Sequence, residues 1–299
     1  MHFGVSVPNN FGVESMRELV EFAVTAEELG YQSAWVSDHL FHASYVAARL
    51  GNRPYHEALT VLTAIAARTE SVNLGTSVLV LPWHQPVRLA KVLASLDQLS
   101  GGRVIVGVGV GNAKDEFEAL GVPFEERGRI GNEYLEGMQA LWTQSVPTFQ
   151  GQHLSFDGLR FEPKPAQNPH PPFWIGGNTG PALRRLVRYG NGWHPLRLSP
   201  RELAARRIDL HEALTEAGRL TDVPIAVRLQ LTFEDTPPER AIEDRKTCSG
   251  RPEDIANLIE AYQSAGATHI ILDGGSRDLE RSVANLRRFR EEVAPRFTR

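Results

Sequence analysis

Short runs in which apolar residues alternate with small or polar ones recur along the chain. Longer stretches lie between them, with apolar residues returning every three or four positions. Residues 3–7 alternate as a strand does and stop at Pro8, Asn9 and Asn10. Over 15–29, Leu19, Phe22, Ala23, Ala26 and Leu29 fall on one helical face; Ser15 and Glu18 match a capping box, and Gly30 stands where such a helix stops. The same reading gives further strands over 33–36, 72–81, 104–110, 173–175, 193–195, 225–232 and 269–272. Helices are predicted over 57–69, 86–99, 127–142, 179–189, 200–217, 252–265 and 277–293. The third strand is broken internally by Gly75, Thr76 and Ser77. Eight strands, mostly followed by helices, predict an α/β chain folded as one (β/α)8 barrel domain over 1–299. Insertions follow strands 4 and 7: a hairpin within about 149–167, turning at Asp157 and Gly158, and a polar irregular stretch over about 233–250. A doubly wound sheet with a second domain fits less well, because no stretch reads as a linker.

Composition narrows the function. The 299 residues are 41% hydrophobic and 23% charged, as in ordinary globular proteins. Lys and Arg number 32 against 36 Asp and Glu, a net charge of −4 with no basic run, which argues against a nucleic-acid partner. Cys248 is the only cysteine, so an intrachain disulfide, a cysteine zinc site and a CxxC redox pair are excluded. The histidines form no HExxH or H-x-H pair, and no metal is expected. The start lacks a secretory signal pattern, and the most apolar stretch, VNLGTSVLVLP, is about half a membrane span. The expectation is a cytoplasmic protein with neither membrane nor nucleic-acid partner.

A barrel enzyme carries its chemistry at the C-terminal ends of its strands. There the second strand ends in Asp38 and His39, a carboxylate and a neutral-range acid or base, although neighbours in an extended segment point opposite ways. A loop cap made by Asp38 is the plainer alternative. Thr76, Ser77 and Val78 sit at the broken third strand, where a ligand could approach the backbone. Gly107, Gly109 and Gly111 before Asn112 leave room on one face for a flat ring, but their spacing is not GxGxxG, so a Rossmann NAD site is not expected. Gly176, Gly177, Asn178 and Thr179 precede a helix bearing Arg184, Arg185 and Arg188, a pattern suited to a phosphate. Phe11, Phe41, Trp83 and Trp193 are candidate walls of an apolar pocket, and no GxSxG elbow points to a hydrolase.

The segments GVSVPNNFG, AEELGYQSAWVSDHL, LGTSVLVLPWHQPVRLAK, LDQLSGGRVIVGVGVGN, EFEALGVPFEERGR, PFWIGGNT and YGNGWHP, in that order, resemble the bacterial luciferase-like superfamily across nearly the whole chain. Within it the chain looks most like the branch that uses the deazaflavin coenzyme F420. The resemblance implies a (β/α)8 barrel with the coenzyme ring at its C-terminal mouth. It implies a non-proline cis peptide at Ser77 and Val78 behind the ring, and a phosphate-binding turn at Gly176, Gly177, Asn178 and Thr179. His39 would be the acid or base of hydride transfer to or from a small organic substrate, with Asp38 or Asn112 orienting it or the ring. One position departs from the branch's sugar-phosphate dehydrogenases: Asn112 stands where they carry a glutamate after the fourth strand. Asn cannot exchange a proton, and neither Asp115 nor Glu116 is expected at that point, so the substrate is left open. An FMN-dependent monooxygenase with a separate flavin reductase is the alternative, and a non-catalytic flavin-binding protein a more distant one. The resemblance also implies a homodimer.

Overall fold

A computed structural model describes residues 1–219, 222–236 and 238–297, with the backbone only at residue 44; Pro237, within the expected second insertion, lies outside them. The first half runs β1 (His2–Ser6), α1 (Met16–Glu28), β2 (Ser33–Val36), α2 (Ser44–Leu50), α3 (Ala58–Ala66), β3 (Asn73–Thr76), β4 (Leu79–Val80), α4 (Pro86–Ser100) and β5 (Val104–Gly109). Next come α5 (Lys114–Ala119), α6 (Arg127–Thr143), β6 (Phe149–Gln150), β7 (Ser155–Phe156), β8 (Phe173–Gly176), α7 (Gly180–Tyr189) and β9 (Gly192–His194). The chain continues through α8 (Pro200–Glu216), β10 (Ala226–Phe233), β11 (Cys248–Gly250), α9 (Pro252–Ser264), β12 (His269–Asp273) and α10 (Leu279–Glu292).

The main sheet is parallel in every pairing and follows the order β11, β10, β12, β1, β2, β3, β5, β8, β9, with β4 also against β5. It curls until β9 meets the start of β10, where Trp193 bridges Ile225 and the Trp193 N–H donates to the Pro224 carbonyl at 2.8 Å. Strand alternation sorts the side chains. Phe3 and Val5 turn to the helices, where Phe3 meets Phe289 of α10 edge-on at 5.1 Å. Each such fully buried side chain stabilises by about 1.5–3 kcal/mol. Trp35, Ile105, Trp174, Ala226 and Ile271 turn the other way and form a separate apolar plug inside the curl. Glycines make room for it: a methyl group on Gly75 would lie 2.2 Å from the Trp35 ring, and one on Gly192 2.7 Å from Trp174.

Above the plug, towards the C-terminal ends of the strands, the interior becomes polar. His194 is buried, with its ring 5.7 Å from that of Trp35. Its Nδ1 meets the Ala226 carbonyl at 2.8 Å, and a carbonyl only accepts, so Nδ1 carries the proton. Nε2 is left to accept from Ser77 Oγ at 2.8 Å. Arg228 reaches Asp273 Oδ2 through Nε (2.9 Å) and Nη2 (2.6 Å), and Ser37 Oγ through Nη1 (2.9 Å).

Several local expectations change. Ser15 makes no side-chain cap on α1; the exposed N–H groups there lose little by facing water. The hairpin is present, but it turns over Gly151–Leu154 and not at Asp157 and Gly158. The cause is Glu133 on α6, whose Oε1 accepts the N–H groups of His153 (2.8 Å) and Leu154 (3.1 Å) and fixes the tip. The second insertion is not wholly irregular: it ends in β11, which buries Cys248 beside Leu231 of β10 and raises the thiol pKa to about 12. Among the described residues no helix is long and apolar enough to cross a membrane.

Burial above all, aided by the Arg228 charge and opposed by the hydrogen bond to Ala226, holds the His194 pKa down at about 4. An unfolded histidine titrates near about 6.5, so between that pH and 4 the unfolded chain takes a proton that the folded chain refuses. The stability involved is fully present above about pH 6.5 and is lost as the pH falls to 4, a loss of about 3 kcal/mol. Urea unfolding at pH 7 and pH 4 should show at least this fall, since burial also depresses His269 to about 4. H194Q should reduce the fall by about 3 kcal/mol; an unchanged pH profile in H194Q would contradict the assignment.

Candidate active site

Three consecutive residues after β2 go to three different partners. The backbone of Ser37 is pinned by the buried Asn9: its N–H donates to Asn9 Oδ1 at 3.0 Å, and its carbonyl accepts from Asn9 Nδ2 at 2.8 Å. Asp38 turns towards the third strand, where Oδ2 accepts the Val80 N–H at 3.0 Å and meets His84 Nε2 at 2.7 Å. Burial works against a charged His84, but the hydrogen bond and charge of Asp38, helped by Glu57, outweigh it and raise the His84 pKa. His39 turns the opposite way, towards α5.

The partner of His39 is Glu116. Nδ1 and Glu116 Oε2 are 2.5 Å apart, and the carboxylate is fully shielded from solvent. The other oxygen, Oε1, accepts the N–H groups of Leu40 (3.0 Å) and Phe41 (3.1 Å). On the far side of the ring, His39 Nε2 is 2.6 Å from the Tyr45 hydroxyl on α2. Trp83, Tyr45 and Tyr55 surround the imidazole with ring centroids 5.4–5.7 Å away. A carboxylate only accepts, so Nδ1 carries the proton, and Nε2 is left to accept from the Tyr45 hydroxyl.

The ledge at the broken third strand forms as expected, and the Ser77–Val78 peptide is cis. Thr76 is buried, its hydroxyl donating to the Gly107 carbonyl at 2.7 Å. Val78 is half-buried and packs over glycines of the neighbouring strands. A methyl group at Gly109 would lie 2.8 Å from Val78 Cγ2, and one at Gly176 3.2 Å from Val78 Cγ1. At Gly107 the added carbon would overlap the Thr76 carbonyl at 1.8 Å. The strand ends can therefore close on Val78 only as glycines, which leaves a shelf of backbone and one branched side chain.

In the turn before α7, Gly177 holds φ +105°, a conformation that favours glycine, and its N–H donates to the His194 carbonyl at 3.3 Å. Thr179 caps α7 through the Ala182 N–H. The Asn178 amide is occupied on both sides by the Leu196 backbone, at 2.6 and 2.8 Å, so this side chain shapes the turn. Of the three arginines, Arg185 is buried against Asn132 and Gly128, Arg188 pairs with Glu136 at 2.6 Å, and only Arg184 folds back towards Gly180.

The expected set is thus partly regrouped. His39, Ser77, Val78, Gly176 and Gly177 sit around the ends of the parallel strands, and Thr76 supports the ledge from within. Asp38 does not orient His39; it braces the turn that carries Trp83 and His84. Asn112 is exposed, beside a cavity of about 470 Å³ lined by Tyr45, Asn112, Ala113, Lys114, Asp115 and Glu118, while the His39 ring bonds to Glu116 and Tyr45. Trp193 is not a pocket wall but lies in the helix-side core, with Nε1 donating to the Gly177 carbonyl at 2.9 Å. Glu116, Tyr45 and Tyr55 were not anticipated. The only sequence signal for Glu116 was its short distance from Asn112. Buried polar atoms without a partner include Tyr55 Oη and Trp83 Nε1, beside His39, and Asn10 Oδ1, after β1. A glycine shelf, orphaned polar atoms and a glycine turn at a helix start suit a flat heteroaromatic ring carrying a phosphate.

The sequence model of the luciferase-like monooxygenase family matches residues 1–248. The chain belongs to this family. Among its relatives, the FMNH(2)-dependent dimethylsulfone monooxygenase of Pseudomonas putida is 31% identical over 251 residues, covering 83% of this chain and 67% of that protein. The F420-dependent glucose-6-phosphate dehydrogenase of Amycolatopsis mediterranei is 28% identical over 328 residues, 94% of each chain. The crystal structure of monooxygenase RslO1 from Streptomyces bottropensis superposes with a TM-score of 0.87 at 24% identity, covering 100% of both chains, which supports the same fold. Family members thus include both F420-dependent enzymes and FMNH2-dependent monooxygenases.

Glu116 should prove structural as well as chemical. E116A leaves three donors facing a cavity, and breaking a buried pair in this way costs about 3–5 kcal/mol. E116Q keeps an acceptor for the Leu40 and Phe41 N–H groups and should cost less than half as much. Urea unfolding of both variants checks the order; equal stability of E116A and the parent chain would contradict it.

Proposed function

We propose that the chain is an F420-dependent oxidoreductase, passing a hydride between the deazaflavin and a small organic substrate at the mouth of a (β/α)8 barrel. The observation that carries the reading is the imidazole of His39, just past the end of β2, held between the Glu116 carboxylate (2.5 Å) and the Tyr45 hydroxyl (2.6 Å). Hydride transfer to or from a carbon leaves a proton to be managed, and this relay is built to manage one. The bound coenzyme supplies the two-electron step. Val78 and the glycines around it support the ring. The turn at Gly176, Gly177, Asn178 and Thr179, with Arg184, receives the phosphate at the start of α7. Glu116 keeps His39 oriented, and His39 takes up the proton at Nε2. Resemblance to an F420-dependent dehydrogenase over 94% of the chain supports the choice of coenzyme. Glucose 6-phosphate is not carried over with it, because Asn112 replaces the expected glutamate and Glu116 reaches His39 by another route.

A second reading is an FMN-dependent monooxygenase, supported by the 31% identity to the dimethylsulfone enzyme. Titrating the protein with F420 and, separately, with FMN separates the two. Trp83 lies beside His39 and should report binding by fluorescence. F420 is expected to bind at least about tenfold more tightly, a difference of about 1.4 kcal/mol. Tighter FMN binding, together with oxygen consumption in the presence of reduced FMN, would overturn the proposal.

A further inference from the structure

Both ring nitrogens of His39 are already engaged, Nδ1 by Glu116 and Nε2 by Tyr45, so a substrate entering the mouth does not meet a free imidazole nitrogen. It meets a phenol. The His39 side chain is 13% exposed, whereas Tyr45 is 54% exposed and lines the cavity of about 470 Å³. We propose that Tyr45 Oη exchanges the proton with the substrate oxygen, with His39 as its reservoir, and that the substrates are therefore alcohols or carbonyl compounds. This rests on the hydride-transfer reading above.

The charges around Tyr45 suit the role. Burial dominates and raises its pKa, Glu116 of α5 acting in the same direction, while Arg49 on its own helix, Arg197 after β9 and Arg228 of β10 pull the other way. The phenol is therefore neutral at working pH and has a proton to give. Arg197 is the only described non-glycine residue with positive φ, 51°, and the turn carrying it is held by Asn178 through Leu196. Arg197 thus stands on a braced turn, near enough for its charge to act on the phenol.

The step balances. In the oxidising direction the alcohol O–H proton passes to Tyr45 Oη as the phenol's own proton passes to His39 Nε2. The carbinol C–H bond breaks, both of its electrons leave with the hydride for the oxidised deazaflavin, and the C–O bond becomes a carbonyl. The proton stays on His39 as an imidazolium against Glu116 until solvent removes it. Reduction of a carbonyl runs the same sequence backwards.

Y45F keeps the aromatic ring and removes only the hydroxyl. Three readouts are taken on the parent and on Y45F. The first is imidazole nitrogen NMR of the coenzyme-free protein. The His39 Nε2 resonance should move in Y45F towards that of an unbonded nitrogen, while Nδ1 stays in place. The second is F420 affinity by tryptophan fluorescence, which should agree within about threefold between the two proteins. The third is reduction of cyclohexanone and benzaldehyde by reduced F420. Here kcat should fall about hundredfold in Y45F with little change in KM, and the parent's solvent deuterium isotope effect should disappear. Parent-like kcat in Y45F, a loss confined to KM, or an unmoved Nε2 resonance would overturn the relay. A parent that binds F420 but reduces neither carbonyl probe would overturn the substrate class. A parent that does not bind F420 would defeat the coenzyme assignment instead, leaving the NMR result to decide the relay's geometry.

Discussion

A carboxylate sealed from water must be met by donors, and at Glu116 three of them come from one loop. An unmatched buried charge would cost several kcal/mol, so this loop and α5 stabilise each other. The Leu40 and Phe41 N–H groups fold the loop over the carboxylate, and His39 is drawn to its second oxygen. Tyr45, in the first turn of α2, then lies by the far ring nitrogen. The short helix α5, with little apolar surface of its own, is held mainly by Phe117 and by this charge.

The interior of the curl sets where this chemistry can sit. Trp35 and Trp174 fill its middle because Gly75 and Gly192 give way to them. No ligand can pass deeper, so small molecules are confined to the polar layer above, among His194, Ser77, Ser37, Arg228 and Asp273. That layer is satisfied internally: each strong donor has a partner, and His194 is kept neutral by burial. A saturated floor beneath a shelf of glycines, with open polar atoms along one wall, presents a flat molecule with one face to rest on and one edge to bind. The fold alone hosts many activities, and these side chains decide which one it carries.

What the sequence disclosed follows from periodicity. The strands of the curl and most of the long helices were legible because their patterns repeat over many residues and glycine or proline ends them. The break in the third strand was legible as Gly75, Thr76 and Ser77. Asp38 and His39 follow the second strand where periodicity ends it, and strand alternation already warned that they point apart, as they do. The short helices α2 and α5 carry too few turns to show a period. The hairpin tip was misplaced because its determinant, Glu133, lies on another element. Glu116 was passed over for the same reason: its contact with His39 spans 77 residues, and local spacing carries no information across such a gap. Side-chain pairs made by folding are where a single sequence is least informative.

The most direct test of the account is a crystal structure of the protein with F420 bound. The expected result is the deazaflavin ring against Val78, its phosphate at the turn of Gly176, Gly177, Asn178 and Thr179, and the Tyr45–His39–Glu116 chain intact beside the ring's reactive edge. A ring seated away from Val78, or an imidazole turned away from Glu116 when the coenzyme is present, would contradict it.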